Sequence, residues 1–364
     1  MKTALLILIL IHGLIHVMGF VKGFELLEVK QLAQPISRYF GILWLLGFIL
    51  LMVAAFYLFS NNNYYWIIAF AAVILSQILI INFWKDAKFG TIANIIILIS
   101  VVLAFSKIGF YKRYQTDVNA ALNSPPYFDN SLLTVVDIQH LPEPIKKYLN
   151  YTGAIGKPKA NNFRIVMKGK LRKNEQSEWM SFKSEQHNFM HNPTRLFFMN
   201  AVMKQLPVAG YHCFKNGDAF MDIRLFSIFK VQYQEGADMD KAETVTFFND
   251  MCCMAPATLI DNRIVWQDKG NNVVQATFTN NGISISANLN FNETGELVNF
   301  ISNDRYNVDA GKKMPWSTPL SNYRTKDNLT LAKYAETINT YPDRDMVYGK
   351  FEIESVSYNC KEFY

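Results

Sequence analysis

The chain has 364 residues, of which 50% are hydrophobic, 14% aromatic and 18% charged, and its formal net charge is +6. This composition excludes a disordered protein, a collagen-like protein and a small disulfide-stabilised protein. The charges are unevenly distributed, because residues 1–111 contain only seven basic and three acidic side chains. The length favours about two domains, and the charge distribution predicts a membrane-embedded first third followed by a water-soluble remainder.

Four apolar stretches in the first third are long enough to cross a bilayer, whose ~30 Å hydrocarbon core takes about 20 helical residues. We predict transmembrane helices over residues 4–20, 39–59, 64–84 and 91–111. The first stretch could instead be a secretory signal peptide, but no small-x-small cleavage pattern follows it, so we expect a retained helix. Basic residues are divided almost evenly between the two sides of the predicted helices and leave their orientation open.

The rest of the chain is predicted to contain a linker and one soluble domain. The three predicted parts are a four-helix transmembrane domain over residues 1–111, a linker over 112–140 and a soluble β-rich domain over 141–364. Polar residues and two adjacent prolines, Pro125 and Pro126, are typical of a linker.

The third part has mainly the hydrophobic pattern of strands. A short helix is predicted over residues 141–149, and alternation with period two follows it. Asn-Gly pairs at residues 216–217 and 281–282 predict hairpins. One further helix is predicted over 239–260, interrupted or ended near Pro256. The predicted fold class is therefore membrane α with four transmembrane helices plus an α+β domain. In that domain a helix covers a large curved antiparallel sheet, in a half-barrel-like arrangement.

Several short motifs in the third part resemble those of an uncharacterised bacterial family of membrane proteins. The opening motif of that family is Leu-Pro-x-Pro-x-x-x-Tyr-Leu, which this chain has at residues 141–149. Weaker matches lie at residues 167–170, 193–197, 254–259, 303–306 and 315–316. The resemblance implies a multi-pass protein of the bacterial cell membrane, and it carries no activity. The strand-rich layout is also similar, at the level of architecture, to the half-open barrels of bacterial lipoprotein and lipid carriers, which implies a site for a lipid.

Met- and Phe-rich strands are the first indication of such a site. These side chains pack adaptably around an apolar ligand, although they equally suit a closed core. Arg305 could bind a carboxylate or an anionic head group bidentately, and an ion pair with Glu243 is the alternative interpretation. The candidate ligand-binding residues are Phe198, Phe220, Arg305, Trp316 and Tyr323.

His12 and His16 lie four residues apart and therefore share one face of the first predicted transmembrane helix. Ionisable residues inside a membrane are costly and often functional. We interpret the two histidines as an intramembrane polar pair that forms interhelical hydrogen bonds, with a role in proton transfer or metal binding as the alternative. No metal site is predicted, because the other predicted spans contain no His, Cys or Glu that could complete one.

The four cysteines do not have the spacing of a zinc site or of a redox motif. We expect free buried thiols, and a bridge between Cys213 and Cys360 in an oxidising compartment is the alternative. No nucleophile elbow, phosphate-binding loop or dinucleotide fingerprint is present, and no basic stripe indicates nucleic acid. We therefore predict no catalytic residue, cofactor or nucleic-acid partner. The absence of a recognisable catalytic motif favours a protein that is not an enzyme, and an enzyme of unrecognised class, with Asp304, Arg305, Glu243 and His212 as scattered candidate residues, is the remaining alternative.

The predicted function is that of a multi-pass membrane protein whose β-rich domain binds a membrane lipid or another apolar ligand. The alternative is a membrane-anchored module for protein interaction or assembly, without a small ligand. The predicted location is the bacterial inner membrane. Analogy with exported carriers favours an extracytoplasmic soluble domain, whereas Lys112 and Arg113, directly after the last predicted span, favour the opposite side.

Overall fold

A computed structural model describes residues 2–124, 129–307 and 310–363 of the chain. Contacts between Cα atoms divide the chain into two compact units, Met1–Gly109 and Phe110–Tyr364. Part of the predicted linker, residues 125–128, lies outside the described residues.

The first unit is built from apolar helices. Four of its helices are long and apolar enough to cross a membrane, as the sequence predicted. Large apolar side chains cover their outer surfaces, with Leu14 60% and Phe56 63% exposed, which is typical of helices that face lipid rather than water. The helices are α1 (Lys2–Gly23), α2 (Arg38–Phe59), α3 (Tyr65–Asn82), the short α4 (Trp84–Ala87) and α5 (Gly90–Leu122).

Helices α1 and α2 pack closely because small residues lie between them. A Cβ atom at Gly19 would overlap the ring of Trp44, and one at Gly23 would lie 2.9 Å from the Cα of Gly41. Glycine at such positions lets two helix backbones approach and gain van der Waals contact, which is a main source of helix association in a lipid environment.

Helix α5 continues to Leu122, eleven residues beyond the predicted end of the fourth span. The predicted linker therefore begins as helix, and this part of α5 belongs to the second unit. Phe110, Tyr114 and Val118 are all buried, and their spacing of four residues places them on one helix face. Because polar residues separate these three, the sequence predicted a linker here. The three buried residues instead form one face of a longer helix.

The second unit contains a large antiparallel sheet of thirteen strands in the order β6-β5-β4-β3-β2-β1-β15-β14-β13-β10-β9-β8-β7. The short strands β11 and β12 form a separate pair. The strands are β1 (Asn162–Leu171), β2 (Met180–Phe189), β3 (Thr194–Met203), β4 (Leu206–Lys215), β5 (Asp218–Leu225), β6 (Phe229–Glu235), β7 (Ile264–Asp268), β8 (Val273–Asn280), β9 (Ile283–Phe291), β10 (Leu297–Ser302), β11 (Tyr306–Asn307), β12 (Lys312–Lys313), β13 (Trp316–Lys326), β14 (Leu329–Thr340) and β15 (Asp345–Tyr358).

Both Asn-Gly pairs form the predicted hairpins. Asn216 and Gly217 join β4 to β5, and Asn281 and Gly282 join β8 to β9. All four residues have positive φ angles, between 48° and 89°, which a two-residue turn of this kind requires and which Asn and Gly tolerate best. The predicted short helix also forms, as α6 (Glu143–Thr152), and ends at Gly153 in the left-handed conformation.

Helix α7 (Ala237–Met254) lies inside the curve of the sheet. It contacts β4, β5 and β6 near one edge, β14 in the middle and β9 and β10 toward the other edge, so the sheet curves around it. Most of the helix is buried, with Phe247, Phe248 and Met251 fully so, as expected for a helix surrounded by other elements. A 3₁₀ helix (Pro256–Ile260) follows it. The predicted fold class, four apolar helices plus a large curved antiparallel sheet with a covering helix, is confirmed.

Candidate functional site

A cavity of about 250 Å³ lies between α7 and the concave face of the sheet. Helix α7 contributes Glu243, Thr246, Asp250 and Cys253, whose spacing of three and four residues places them on one helix face. The opposite wall is provided by strands β1 to β5 and β13 to β15. The cavity therefore occupies the space between the helix and the sheet that curves around it.

Most of the cavity wall is apolar. Its aliphatic, aromatic and methionine side chains include Ile165, Met167, Phe197, Met199, Met221, Ile223, Leu320, Phe351 and Ile353. Alternate residues of each strand face the helix, so Phe197 and Met199 of β3 both reach the cavity while the residue between them does not. Methionine is flexible and polarizable, which suits a wall that adapts to the shape of an apolar ligand.

A buried cluster of ions closes one side of the cavity. The Arg195 guanidinium donates hydrogen bonds to Asp250 at 2.8 Å, to Glu243 at 2.9 Å and to Gln186 at 2.9 Å. His212 donates from Nδ1 to the other Glu243 oxygen at 3.4 Å. Arg195 and Glu243 are 6% and 2% exposed, so the pair is removed from water and its charges must be satisfied within the protein.

The two carboxyl groups of this cluster respond differently to burial. Burial opposes ionisation of Glu243, but Arg195 and the hydrogen bond from His212 outweigh it and lower the pKa of Glu243 to about 2. Burial raises the pKa of Asp250, because it outweighs Arg195 and the side-chain hydrogen bonds that Asp250 accepts. Glu243 is therefore ionised at neutral pH and forms an ion pair with Arg195.

Arg305 provides a second cation at the cavity, in a different environment. Its guanidinium lies over the ring of Trp316, 4.8 Å from the ring centroid, and its Nε donates to the hydroxyl of Thr246 at 3.5 Å. The Trp316 indole N–H in turn donates to Tyr348 at 2.8 Å. No carboxylate within the described parts of the chain forms a salt bridge with Arg305. The neighbouring carboxylate, Asp304, pairs with Lys241 at 2.9 Å instead.

The structure places two of the five predicted ligand-binding residues, Arg305 and Trp316, at this cavity. Phe198 and Phe220 lie on the opposite face of the sheet, where they pack with aromatic rings of α5 and β4. Their neighbours in sequence line the cavity, so the alternation along each strand turns these two rings away from it. Tyr323 is not among the residues that line this cavity. Its hydroxyl donates to the Leu297 carbonyl at 2.7 Å.

The predicted intramembrane pair lies inside the first unit. His12 and His16 are 3% and 1% exposed. His12 Nε2 is 3.2 Å from the Ser76 hydroxyl and 3.0 Å from Asn94 Oδ1, and His16 Nδ1 donates to the His12 carbonyl at 2.8 Å. The side-chain contacts of His12 therefore connect α1 with α3 and α5. Among the described residues, no group of three or more His, Cys, Asp or Glu side chains is placed to hold a metal ion.

The four cysteines are free and buried. Cys252 and Cys253 lie within α7, where burial raises the pKa of both thiols well above the ordinary value. Because the thiolate is the reactive form of cysteine, these two side chains act as small apolar groups. Cys213 and Cys360 are both free, so the structure does not contain the disulfide bridge that was the alternative interpretation.

Residues 131–351 match the model of a protein family described as a family of unknown function, DUF6544. This match covers more than half of the chain. The chain belongs to the DUF6544 family. All of the charged residues that line the cavity, from Arg195 to Arg305, lie within the matched region. No curated protein sequence is significantly similar to the chain.

Several solved structures have a weak likeness to this DUF6544 protein, and three of them illustrate it. The first is a putative outer membrane lipoprotein-sorting protein domain from Vibrio parahaemolyticus, with 8% identity and a TM-score of 0.33 over 55% of this chain and 86% of that chain. The second is a LolA superfamily protein from Nitrosomonas europaea, with 7% identity and a TM-score of 0.34 over 59% of this chain and 94% of that chain. The third is a DUF1329 family protein from Desulfovibrio piger, with 7% identity and a TM-score of 0.31 over 59% of this chain and 92% of that chain. TM-scores this low carry no function over to this chain.

The ion cluster is the part of the site that sequence analysis missed. Arg195 stands in one of the family motifs, directly before an apolar run, and Glu243 and Asp250 are seven residues apart on a predicted helix. Two acidic residues on one face of a predicted helix were the available signal. Their partner lies on a distant strand, and its identity required the fold.

Proposed function

We propose that this DUF6544 protein is a multi-pass membrane protein whose second unit binds a lipid or another apolar ligand between α7 and the sheet. The observation that carries the proposal is the cavity itself, whose wall is apolar over the strands and polar at one side. Small-molecule sites typically combine a mainly apolar concave wall with a few polar groups that orient the ligand. Each 100 Å² of apolar surface that a ligand buries there contributes about 2.5 kcal/mol.

We also propose that the protein resides in the bacterial inner membrane with its second unit on the extracytoplasmic side. The hydropathy of the four long helices supports the membrane location, and the choice of side follows the analogy in architecture with exported carriers. A single exposed thiol, introduced as Gln176→Cys, tests the side because the four native cysteines are buried. Labelling by a membrane-impermeant maleimide in cells with a permeabilised outer membrane is the expected result, and labelling only after lysis would contradict it.

Photo-cross-linking of the full chain in phosphatidylcholine nanodiscs tests ligand binding. The probe is dodecanoic acid with a diazirine in its chain, and labelled peptides are identified by mass spectrometry. We expect labels on cavity-lining residues such as Met199 and Ile353. Ala335 also lines the cavity and is 6% exposed, so Ala335→Phe fills the space and is expected to reduce this labelling at least fivefold.

The matched control is Ala237→Phe, which adds the same ring at an exposed position at the start of α7. It is expected to leave cavity labelling unchanged, and the thermal unfolding midpoints of both variants verify that the fold is intact. Equal cavity labelling of the wild type and a folded Ala335→Phe protein would contradict the proposal.

A second candidate function is protein interaction, and one edge of the sheet favours it. Strand β6 is an edge strand, and its alternate residues Phe229, Val231 and Tyr233 are 61%, 53% and 38% exposed. An exposed apolar edge strand can accept a strand from a partner. A photoactivatable amino acid at Val231 tests this candidate in cells, where a single discrete protein adduct supports it and only diffuse labelling contradicts it.

A further inference from the structure

The polar groups of the Arg195 cluster are bonded mainly to one another. Arg195 has both carboxylates as partners, and the second donor to Glu243 is His212. Asp250 accepts further hydrogen bonds from Gln186 at 2.6 Å and Asn188 at 3.3 Å. The single guanidinium of this cluster is therefore fully bonded to its two carboxyl groups and to Gln186, and the cluster offers no free positive charge to a ligand.

Arg305 is the charged group that this arrangement leaves available. Its Nε is bonded to Thr246, but no described residue accepts a hydrogen bond from either terminal nitrogen of its guanidinium. The ring of Trp316 holds the guanidinium plane from one side, which fixes its orientation without neutralising it. A half-buried cation with two free donor groups is suited to an anion, because a guanidinium binds carboxylate or phosphate oxygens through paired hydrogen bonds.

Two unpaired hydroxyl groups belong to residues that line the same cavity as this cation. Thr318 and Thr337 line the cavity, and within the described chain their hydroxyl oxygens are buried without a hydrogen-bond partner. Thr318 is two residues from Trp316 on β13 and therefore faces the same side of the sheet. Buried hydroxyls without partners are costly, and a ligand oxygen near Arg305 would satisfy them.

We propose that the ligand of this cavity is an anionic amphiphile, whose carboxylate or phosphate is bound by Arg305 and whose hydrocarbon part lies against the apolar wall. This inference rests on the proposed function, since it names the class of ligand for the same cavity. The hydroxyls of Thr318 and Thr337 complete the head-group site. A fatty acid and an anionic phospholipid share this chemistry.

Two photoactivatable probes that differ only in the head group test the inference on the full chain in phosphatidylcholine nanodiscs. They are diazirine-bearing dodecanoic acid and the corresponding dodecanol, each titrated until cavity labelling saturates. We expect the acid to half-saturate at a concentration at least tenfold below that of the alcohol, a ratio that corresponds to about 1.4 kcal/mol. In Arg305→Gln the two probes are expected to become equal, because the acid weakens and the alcohol does not change.

Two further variants separate a head-group contact from a general effect. Arg305→Lys retains the positive charge and is expected to recover part of the preference for the acid, whereas Arg344→Gln, which removes an exposed arginine, is expected to keep all of it. Dodecyl phosphate as a competitor distinguishes the sources of the anion, since stronger competition than that of dodecanoic acid indicates a phospholipid and weaker competition a fatty acid.

Equal half-saturation of the two probes in the wild type would overturn the anionic head group and leave the proposed function in place. A preference for the acid that survives in Arg305→Gln would overturn the role of Arg305. Absence of cavity labelling with both probes would instead contradict the proposed function, so the two failures are distinguishable.

Discussion

Replacement of Arg195 by methionine removes the positive charge that contacts both buried carboxylates of the cavity. Methionine retains apolar contacts with the surroundings, including the Phe197 ring that lies 5.1 Å from the guanidinium. Three hydrogen bonds are lost, to Asp250, Glu243 and Gln186. Removal of one partner of a buried ion pair typically costs about 3–5 kcal/mol, because the remaining charge is left uncompensated.

The expected effect is a large decrease in thermal stability. The second unit is in the size range where 1 kcal/mol shifts the unfolding midpoint by about 2–4 °C, so Arg195→Met is expected to lower it by roughly 6–20 °C. The measurement is thermal unfolding of the full chain in detergent, followed by intrinsic fluorescence. Arg344→Met serves as the control, because its ion pair with Asp343 is exposed and such pairs contribute about 1 kcal/mol or less.

The pH dependence identifies the cause of the loss. Without Arg195, burial raises the pKa of both carboxyl groups, whose ordinary values are 4.5 for Glu243 and 3.8 for Asp250. Groups with a raised pKa in the folded state destabilise it increasingly as the pH rises. The difference in unfolding midpoint between the wild type and Arg195→Met is therefore expected to be larger at pH 8 than at pH 5.

A combined variant completes this test. Arg195→Met with Glu243→Gln and Asp250→Asn has no buried charge left in the cluster, and it is expected to recover at least half of the lost stability. A loss of less than 3 °C in the single variant, or one that is independent of pH and is not recovered, would refute the assignment of a buried ionic cluster.

Three further predictions concern the same fold. In the native protein the pKa of Glu243 is lowered from 4.5 to about 2. Its contribution to folding stability is therefore complete above pH 4.5 and is lost as the pH falls to about 2. Glu243→Gln should flatten the curve of unfolding free energy against pH over this interval. Phe248 is fully buried, and Phe248→Ala should lower the free energy of unfolding by about 3–5 kcal/mol in denaturant titrations. A Cβ atom at Gly169 would overlap the Lys350 carbonyl, so Gly169→Ala should destabilise by about 1–3 kcal/mol, whereas Gly109→Ala, which has open space around it, should not destabilise.

Local patterns in the sequence were sufficient for the elements and for the fold class. Hydrophobic runs predict the apolar helices because bilayer thickness sets their length, and Asn-Gly pairs predict hairpins because few residues tolerate their φ angles. The predicted end of helix α5, at residue 111, was too early. The apolar residues beyond it stand among polar ones, and they can be recognised as a buried helix face only when the surface that covers them is known. Their burial against the sheet is a tertiary contact.

The candidate site was only partly predictable, for a related reason. Alternation along a strand shows that Phe197 and Phe198 face opposite sides, but it does not show which side faces the helix. The cluster around Arg195 joins a strand to a helix about fifty residues away, and such pairs leave no local signal. Arg305 and Trp316 were predicted because polar and amphipathic side chains occur near the end of the strand series, and both line the cavity.

Native mass spectrometry of the full chain, purified from its membrane, tests most directly whether the cavity holds a ligand. Collisional activation is increased until weakly bound annular lipid is removed, and the wild type is compared with Ala335→Phe. We expect one amphiphile to remain bound to the wild type at a ratio of one to one and to be lost from the cavity-filled variant. The same adduct on both proteins, or none on the wild type, would contradict a ligand site in this cavity.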